Sequence, residues 1–273
     1  VRERLKRVAA VSTGSCLVAV AAAIAISFVP NESAAAPPVV WAAAGPGPHL
    51  DPSTAKSRGI SWGMVETRWR DAEPSPGIYD EQYLLGIRDQ IQSLHDHGLK
   101  VIINYGLQTA PAWFYALPGA RLVDQDGRVD ESAEAPNFIF NEQLRPYGER
   151  YTQKLFSFLG SVHPDIVRVG GGAQGELTYP HGPTGNSYWA FDDGAQAASP
   201  VRGWRPGSPS PRGEATIFLN WYLDALVRYQ NWQISTVRLS YSGLIAVVYP
   251  SWGLRDGDLE EVARTNDDGS TTP

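Results

Sequence analysis

One short series in the first half of the chain limits the fold more than anything else in it. Gly59 to Val65, GISWGMV, is a glycine-bounded run rich in strand formers. Leu84, Ile87, Ile91 and Leu94 then recur at helical spacing, which predicts a helix with one buried face, capped by Asp80 and ended by Gly98. Lys100 to Tyr105, KVIINY, follows as a strand with a continuous apolar core. Strand, helix and strand joined by short connections make a βαβ unit, and that unit requires parallel pairing.

The alternation continues. After a long loop from Gly106 to about Arg145, Pro146 suits the first turn of a helix whose apolar side is Tyr151, Leu155 and Phe158, closed by Gly160. Asp165 to Val169 is the next strand. Ser199 to Arg212 carries four prolines and reads as an irregular excursion. Glu214 to Asn231 is helical, with Phe218, Trp221, Tyr222, Leu226 and Tyr229 in period, and Leu244 to Tyr249 is a further strand. Val39 to Ala42 is a candidate first strand and Asp258 to Arg264 a candidate last helix. The fold class expected is α/β, a (β/α)8 TIM-barrel-like arrangement. It is expected to be incomplete at the C-terminus, because only about five strands can be counted where a closed barrel uses eight over about 250 residues.

Composition narrows the partners. The chain has 273 residues, 42% of them hydrophobic and 19% charged, an ordinary globular balance. A net charge of −6 and the lack of a basic run interleaved with aromatics argue against nucleic acid. Nine Trp and twelve Tyr are a heavy aromatic load, suited to sugar clefts and to cores alike. The one cysteine, Cys16, excludes an intramolecular disulfide and a cysteine-built metal site. His95 and His97 lie two apart, on different faces of a helix end, so a plain surface role is expected for both. Nothing in the sequence points to a metal or organic cofactor.

Residues 1–36 read as a signal peptide or N-terminal anchor. Arg2, Arg4, Lys6 and Arg7 form a basic head, an apolar run extends from about Cys16 to Val29, and small residues follow up to Ala36. Ser12 to Ser15 interrupt the apolar stretch, which favours cleavage over a permanent span. The expected location is secreted or extracytoplasmic, with membrane contact only through that segment. Residues 37–273 are then the barrel domain.

The stretch Asp165 to Pro180, DIVRVGGGAQGELTYP, has the most chemical content. An apolar strand runs into small residues and then presents a lone carboxylate, Glu176. Barrels of this class place their chemistry at the C-terminal ends of strands. The other reading is a strand-to-loop turn with a solvated Glu. Trp113, Tyr179 and Trp252 also sit at or just past strand ends and are candidates to contact a ligand, with core packing as the alternative for each.

Three segments resemble glycoside hydrolase family 42, the β-galactosidase-type barrels. Ile60-Ser61-Trp62 through Glu73-Pro74-Ser75-Pro76-Gly77-Ile78-Tyr79-Asp80 resembles that family's pattern of FSW, EP, G and YD. Thr109-Ala110-Pro111-Ala112-Trp113 resembles its TxPPAW. Leu122 to Arg128, followed by Asn141 to Tyr147, resembles its loop into the next helix. The resemblance covers about Gly59 to Pro180. It implies a hydrolase of O-glycosidic bonds on an oligo- or polysaccharide, with one carboxylate protonating the leaving oxygen and a second attacking the anomeric carbon. Glu176 holds the acid position. Gly175 stands where the family carries an Asn that contacts the sugar. Gly175-Glu176-Leu177-Thr178-Tyr179-Pro180 is similar instead to the acid motif of β-amylases, GELxYP, which are inverting barrels. Both comparisons put the second carboxylate on a late strand, where this sequence offers only the acidic run of Glu260 and Glu261. For Glu66 and Glu73 a salt bridge to Arg68 or Arg70 is expected. The alternatives to an exported hydrolase are a sugar-binding barrel that lacks a nucleophile, and a secreted structural or partner-binding domain.

Overall fold

A computed structural model describes residues 51–132, 135–172, 175–180 and 187–249. The N-terminal segment, the Val39 to Ala42 run, Trp252 and the Asp258 to Arg264 run lie outside the described residues. Four strands form one sheet in the order β1 (Trp62–Glu66), β2 (Lys100–Asn104), β3 (Ile166–Val169) and β4 (Leu244–Val247). All three pairings are parallel. Strand order equal to chain order, with helices between successive strands, is the layout of a (β/α) barrel and not of a doubly wound sheet, whose order reverses.

Seven α-helices accompany the described strands: α1 (Pro52–Ser57), α2 (Trp69–Ala72), α3 (Glu81–Asp96), α4 (Ala112–Tyr115), α5 (Arg145–Leu159), α6 (Asp193–Ala198) and α7 (Glu214–Arg238). Helix α3 begins as its sequence demands. The Asp80 carboxylate accepts the Tyr83 N–H at 2.9 Å, and Leu84, Ile87, Ile91 and Leu94 are its buried residues. Helix α5 carries Pro146 in its first turn, where a missing N–H costs nothing, and Gly160 caps its end. Helix α7 runs seven residues past the expected Asn231, because Gln233, Thr236 and Val237 continue the buried stripe. The short helices α1, α2, α4 and α6 were not expected. Each has six residues or fewer, too short for a periodic signal.

The sheet has two distinct faces. Val65, Val101, Ile103, Val167 and Val169 are buried beneath the helices. Alternation then turns Met64 and Glu66, Ile102 and Asn104, Ile166 and Arg168, and Leu244 and Ala246 to the inner face. The registers stack these residues in layers. Glu66 pairs with Asn104, Asn104 with Arg168, and Arg168 with Ala246, a polar layer near the C-terminal strand ends.

The helix-side core is centred on Trp69, which is fully buried. Its ring lies 5.4 Å from Tyr151, 5.1 Å from Phe114 and 5.8 Å from Trp113. Its indole N–H donates to Glu73 Oε2 at 2.7 Å, while Glu73 Oε1 accepts the Gly77 N–H at 2.8 Å. The Arg partner expected for Glu73 is therefore wrong. Glu73 is 3% exposed and closes the turn before α3 from inside, while Arg68 pairs with Asp71. His95 joins the end of α3 to the start of β3 through Asp165 at 3.1 Å, at the end of the sheet opposite Glu176. Among the described residues no helix is long and apolar enough to cross a membrane.

Candidate active site

Glu176 is carried by a tight turn at the C-terminal end of β3. The Glu176 carbonyl accepts two N–H groups, from Gly171 at 2.9 Å and Gly172 at 2.7 Å. Gly175 adopts φ +81°, a conformation that a residue with a Cβ rarely takes. The strand's exit is equally restricted, because a Cβ on Gly170 would lie 1.9 Å from the Gly175 carbonyl oxygen. The small residues after β3 thus serve the chain folding back on itself. We expect Gly170→Ala to destabilise the protein by roughly 1–3 kcal/mol, the usual cost of overpacking, measured by urea unfolding. A wild-type midpoint would contradict this geometry.

Leu177 ties the turn to the next strand by donating its N–H to the Val248 carbonyl at 2.8 Å. Glu176 therefore lies at the C-terminal ends of β3 and β4. Its residue is half-buried, and Oε2 is buried with no hydrogen-bond partner among the described residues. Its carboxyl carbon is 3.1 Å from where a Gly172 Cβ would be, so the acid lies over the glycine run. From behind, Gln233 of α7 accepts the Tyr105 O–H at 2.8 Å and the Gly170 N–H at 3.3 Å, joining the ends of β2 and β3.

The three aromatic candidates fare differently. Tyr179 stacks on Tyr222 with centroids 3.9 Å apart and donates its O–H to the Tyr222 carbonyl at 2.8 Å. Burial holds its hydroxyl well above the usual phenol range, so it stays neutral. Its role here is to anchor the segment after Glu176. Trp189 reinforces that anchor by donating its indole N–H to the Pro180 carbonyl at 2.7 Å. Trp113 donates its indole N–H to the Glu73 carbonyl at 2.9 Å, and its ring lies 5.8 Å from Trp69 and from Tyr147. It is half-buried and packs on the helix-side core. Trp252 lies outside the described residues. Sequence reasoning passed over Asn104, Arg168 and Gln233. The strand period alone could have turned the first two inward, whereas nothing local singles out Gln233 within its helix. A cavity of about 750 Å³ lies elsewhere, between the Pro200 to Trp204 segment and the start of α7, and Glu176 does not line it.

Comparison with known proteins agrees with this architecture. Residues 51–168 match glycoside hydrolase family 42, described as β-galactosidase. The β-galactosidase of the psychrophilic Marinomonas ef1 superposes with a TM-score of 0.56 at 17% identity, over 78% of this chain and 36% of that one. The β-galactosidase of the haloarchaeon Halorubrum lacusprofundi gives 0.53 at 15% identity, over 77% and 35%. The fold is a family 42-like barrel.

The β-amylase catalytic domain from Paenibacillus polymyxa superposes on the same family 42-like frame with a TM-score of 0.54 at 15% identity, over 72% of this chain and 61% of that one. The chain therefore spans from about a third to three fifths of the length of these structures. No curated protein matches it. The family match ends at Arg168, so the Glu176 turn lies just beyond it. At that turn the family 42-like frame carries the β-amylase-type motif noted above.

Proposed function

We propose that the chain is the barrel of an exported glycoside hydrolase acting on O-glycosidic bonds of a β-galactoside or related glycan, with Glu176 as general acid/base. The observation that carries this is the position of one carboxyl. What supports it is that Glu176 stands at the C-terminal ends of the strands, the end at which such barrels place their chemistry, with Oε2 buried and without a hydrogen-bond partner among the described residues. A carboxyl placed there can reach the leaving oxygen of a bound glycoside. Export rests on the basic head and apolar run of residues 1–36.

The test is an assay of the full chain against nitrophenyl β-galactosides and maltodextrins, with NMR of the first-formed anomer. Hydrolysis supports the reading, and the anomer separates retention from inversion. Those two outcomes correspond to carboxyl spacings of about 5 Å and about 6.5–9.5 Å. Calorimetric binding of either glycan without turnover would replace the enzyme by a sugar-binding barrel. Binding of neither would sink both.

A further inference from the structure

The cavity of about 750 Å³ is built from the proline-rich excursion and the start of α7, both beyond the residues that match the family. Its walls are held from several sides. Trp204 donates its backbone N–H to the Val201 carbonyl at 2.9 Å and its indole N–H to the Pro209 carbonyl at 3.2 Å. Its ring lies 5.5 Å from that of Phe218 on α7. Arg205 ties the same segment to the Gln125 carbonyl at 2.7 Å, and the Ala215 N–H donates to Ser210 Oγ at 2.9 Å, which joins the far wall to the helix. Pro200, Pro209 and Pro211 add backbone whose φ is already set. Small-molecule sites are usually preformed hollows of about 300–1,000 Å³ with apolar walls and a few placed polar groups.

The charges on these walls do not cancel. Arg202, Arg212 and Glu214 are the charged side chains that line the cavity. Glu214 is taken up by Arg212: Oε1 accepts the Arg212 Nε–H at 2.7 Å, and Oε2 accepts its backbone N–H at 3.0 Å. Arg202 is exposed and makes no ion pair among the described residues. One cation is thus left over, in a chain whose net charge is −6. The remaining lining is apolar: half-buried Trp204, the prolines, Val201, and Ile217 at 43% exposure. A guanidinium beside an indole ring suits an anionic group carried on a ring with an apolar face.

We propose that this cavity binds a carboxylated sugar, a uronate unit of a glycan, with the sugar's apolar face on Trp204 and its carboxylate on Arg202. The carboxylate follows from Arg202, and the choice of a sugar rests on the glycoside hydrolase reading. Guanidinium and carboxylate match through two parallel N–H···O bonds, which gives the pair direction as well as strength. Glu176 does not line the cavity, so the unit held here is not the one cleaved. A glycan long enough to reach both sites is attached at two points, which raises the effective concentration of its other units at the strand ends.

The experiment is calorimetric titration of the full chain with trigalacturonate, with neutral galactotriose and with benzoate, paired with amide NMR. Trigalacturonate should bind at least about tenfold more tightly than galactotriose, and added salt should weaken it. Its shifts should fall on Val201 and Trp204 and not on Gly171 or Leu177. Arg202→Glu should weaken it at least about tenfold and erase the preference, while Arg202→Lys, which keeps the charge but loses the fork, should weaken it less. Glu176→Gln should bind it as wild type does. No binding, equal affinity for the two trisaccharides, or shifts confined to the strand ends overturns the proposal in the wild-type chain alone. Unchanged affinity in Arg202→Glu overturns it as well, and benzoate binding as tightly as trigalacturonate overturns the sugar. None of these readings needs turnover. Galactosides cleaved without trigalacturonate binding condemn this site alone, and binding without turnover condemns the hydrolase reading alone.

Discussion

If Glu176 is the general acid proposed above, replacing it by glutamine is expected to lower hydrolysis of an unactivated glycoside by roughly 10²–10⁴-fold, the range that a positioned proton donor supplies. The substitution is close to isosteric, and the structure separates its chemistry from its folding. The turn is held by the Glu176 carbonyl, which accepts the Gly171 and Gly172 N–H groups, and by the Leu177 N–H bonded to the Val248 carbonyl just past β4, none of which uses the side chain. Oε2 of the carboxyl has no partner among the described residues. An amide there should leave the melting temperature within a degree or two of wild type while removing the transferable proton. Dinitrophenyl glycosides, whose leaving group departs without protonation, should be slowed far less. Initial-rate kinetics on both substrate types decide the matter. Equal losses would point to damage instead of lost acid catalysis, and full activity on the alkyl glycoside would remove Glu176 from the mechanism.

Trp69→Ala destabilises the protein by about 3–5 kcal/mol, the range for deleting a large buried aromatic. Two effects add at this site. The ring fills the centre of a cluster that includes Phe114, Phe138 and Tyr151, with centroids 5.1–6.1 Å away, so its loss leaves a cavity that rigid neighbours cannot refill. The indole N–H also satisfies Glu73, a carboxylate only 3% exposed, which loses that donor and keeps the Gly77 N–H. Removing one partner of a buried charged group costs more than the hydrogen bond itself contributes. Trp69→Phe separates the two effects, since it keeps most of the ring and loses the donor. It should cost about 1–3 kcal/mol. Urea unfolding at neutral pH measures both. A Trp69→Ala variant within about 1 kcal/mol of wild type would mean that this cluster is not the core of the fold.

Much of the architecture was legible because it rests on local patterns. The apolar spacing of Leu84, Ile87, Ile91 and Leu94, the Asp80 cap and the KVIINY run specify helix and strand through contacts a few residues apart. Parallel pairing then follows from the βαβ order. Glu176 was legible as a candidate for a similar reason, as a lone carboxylate after a strand that ends in glycines. The aromatics were not. Trp113 and Tyr179 hold equivalent-looking positions past strand ends. Their indole N–H and hydroxyl are bonded to the Glu73 and Tyr222 carbonyls, 40 and 43 residues away in sequence. No local pattern encodes which buried carbonyl a ring will meet.

The same limit applies to the turn itself. From sequence alone, Gly170 to Gly175 could be space for a substrate or space for the backbone. Only the folded chain shows the Gly175 carbonyl where a Gly170 Cβ would be, and Asn104 and Arg168 beneath Gly175. The sequence by itself determined the parallel α/β order and the one acid at the end of β3, because both follow from periods and punctuation within short windows. Tertiary structure alone decided that Glu66, Asn104 and Arg168 share a layer and that Trp113 packs into the core. Strand register and close packing bring together residues far apart in the chain, and their proximity is written in no single segment.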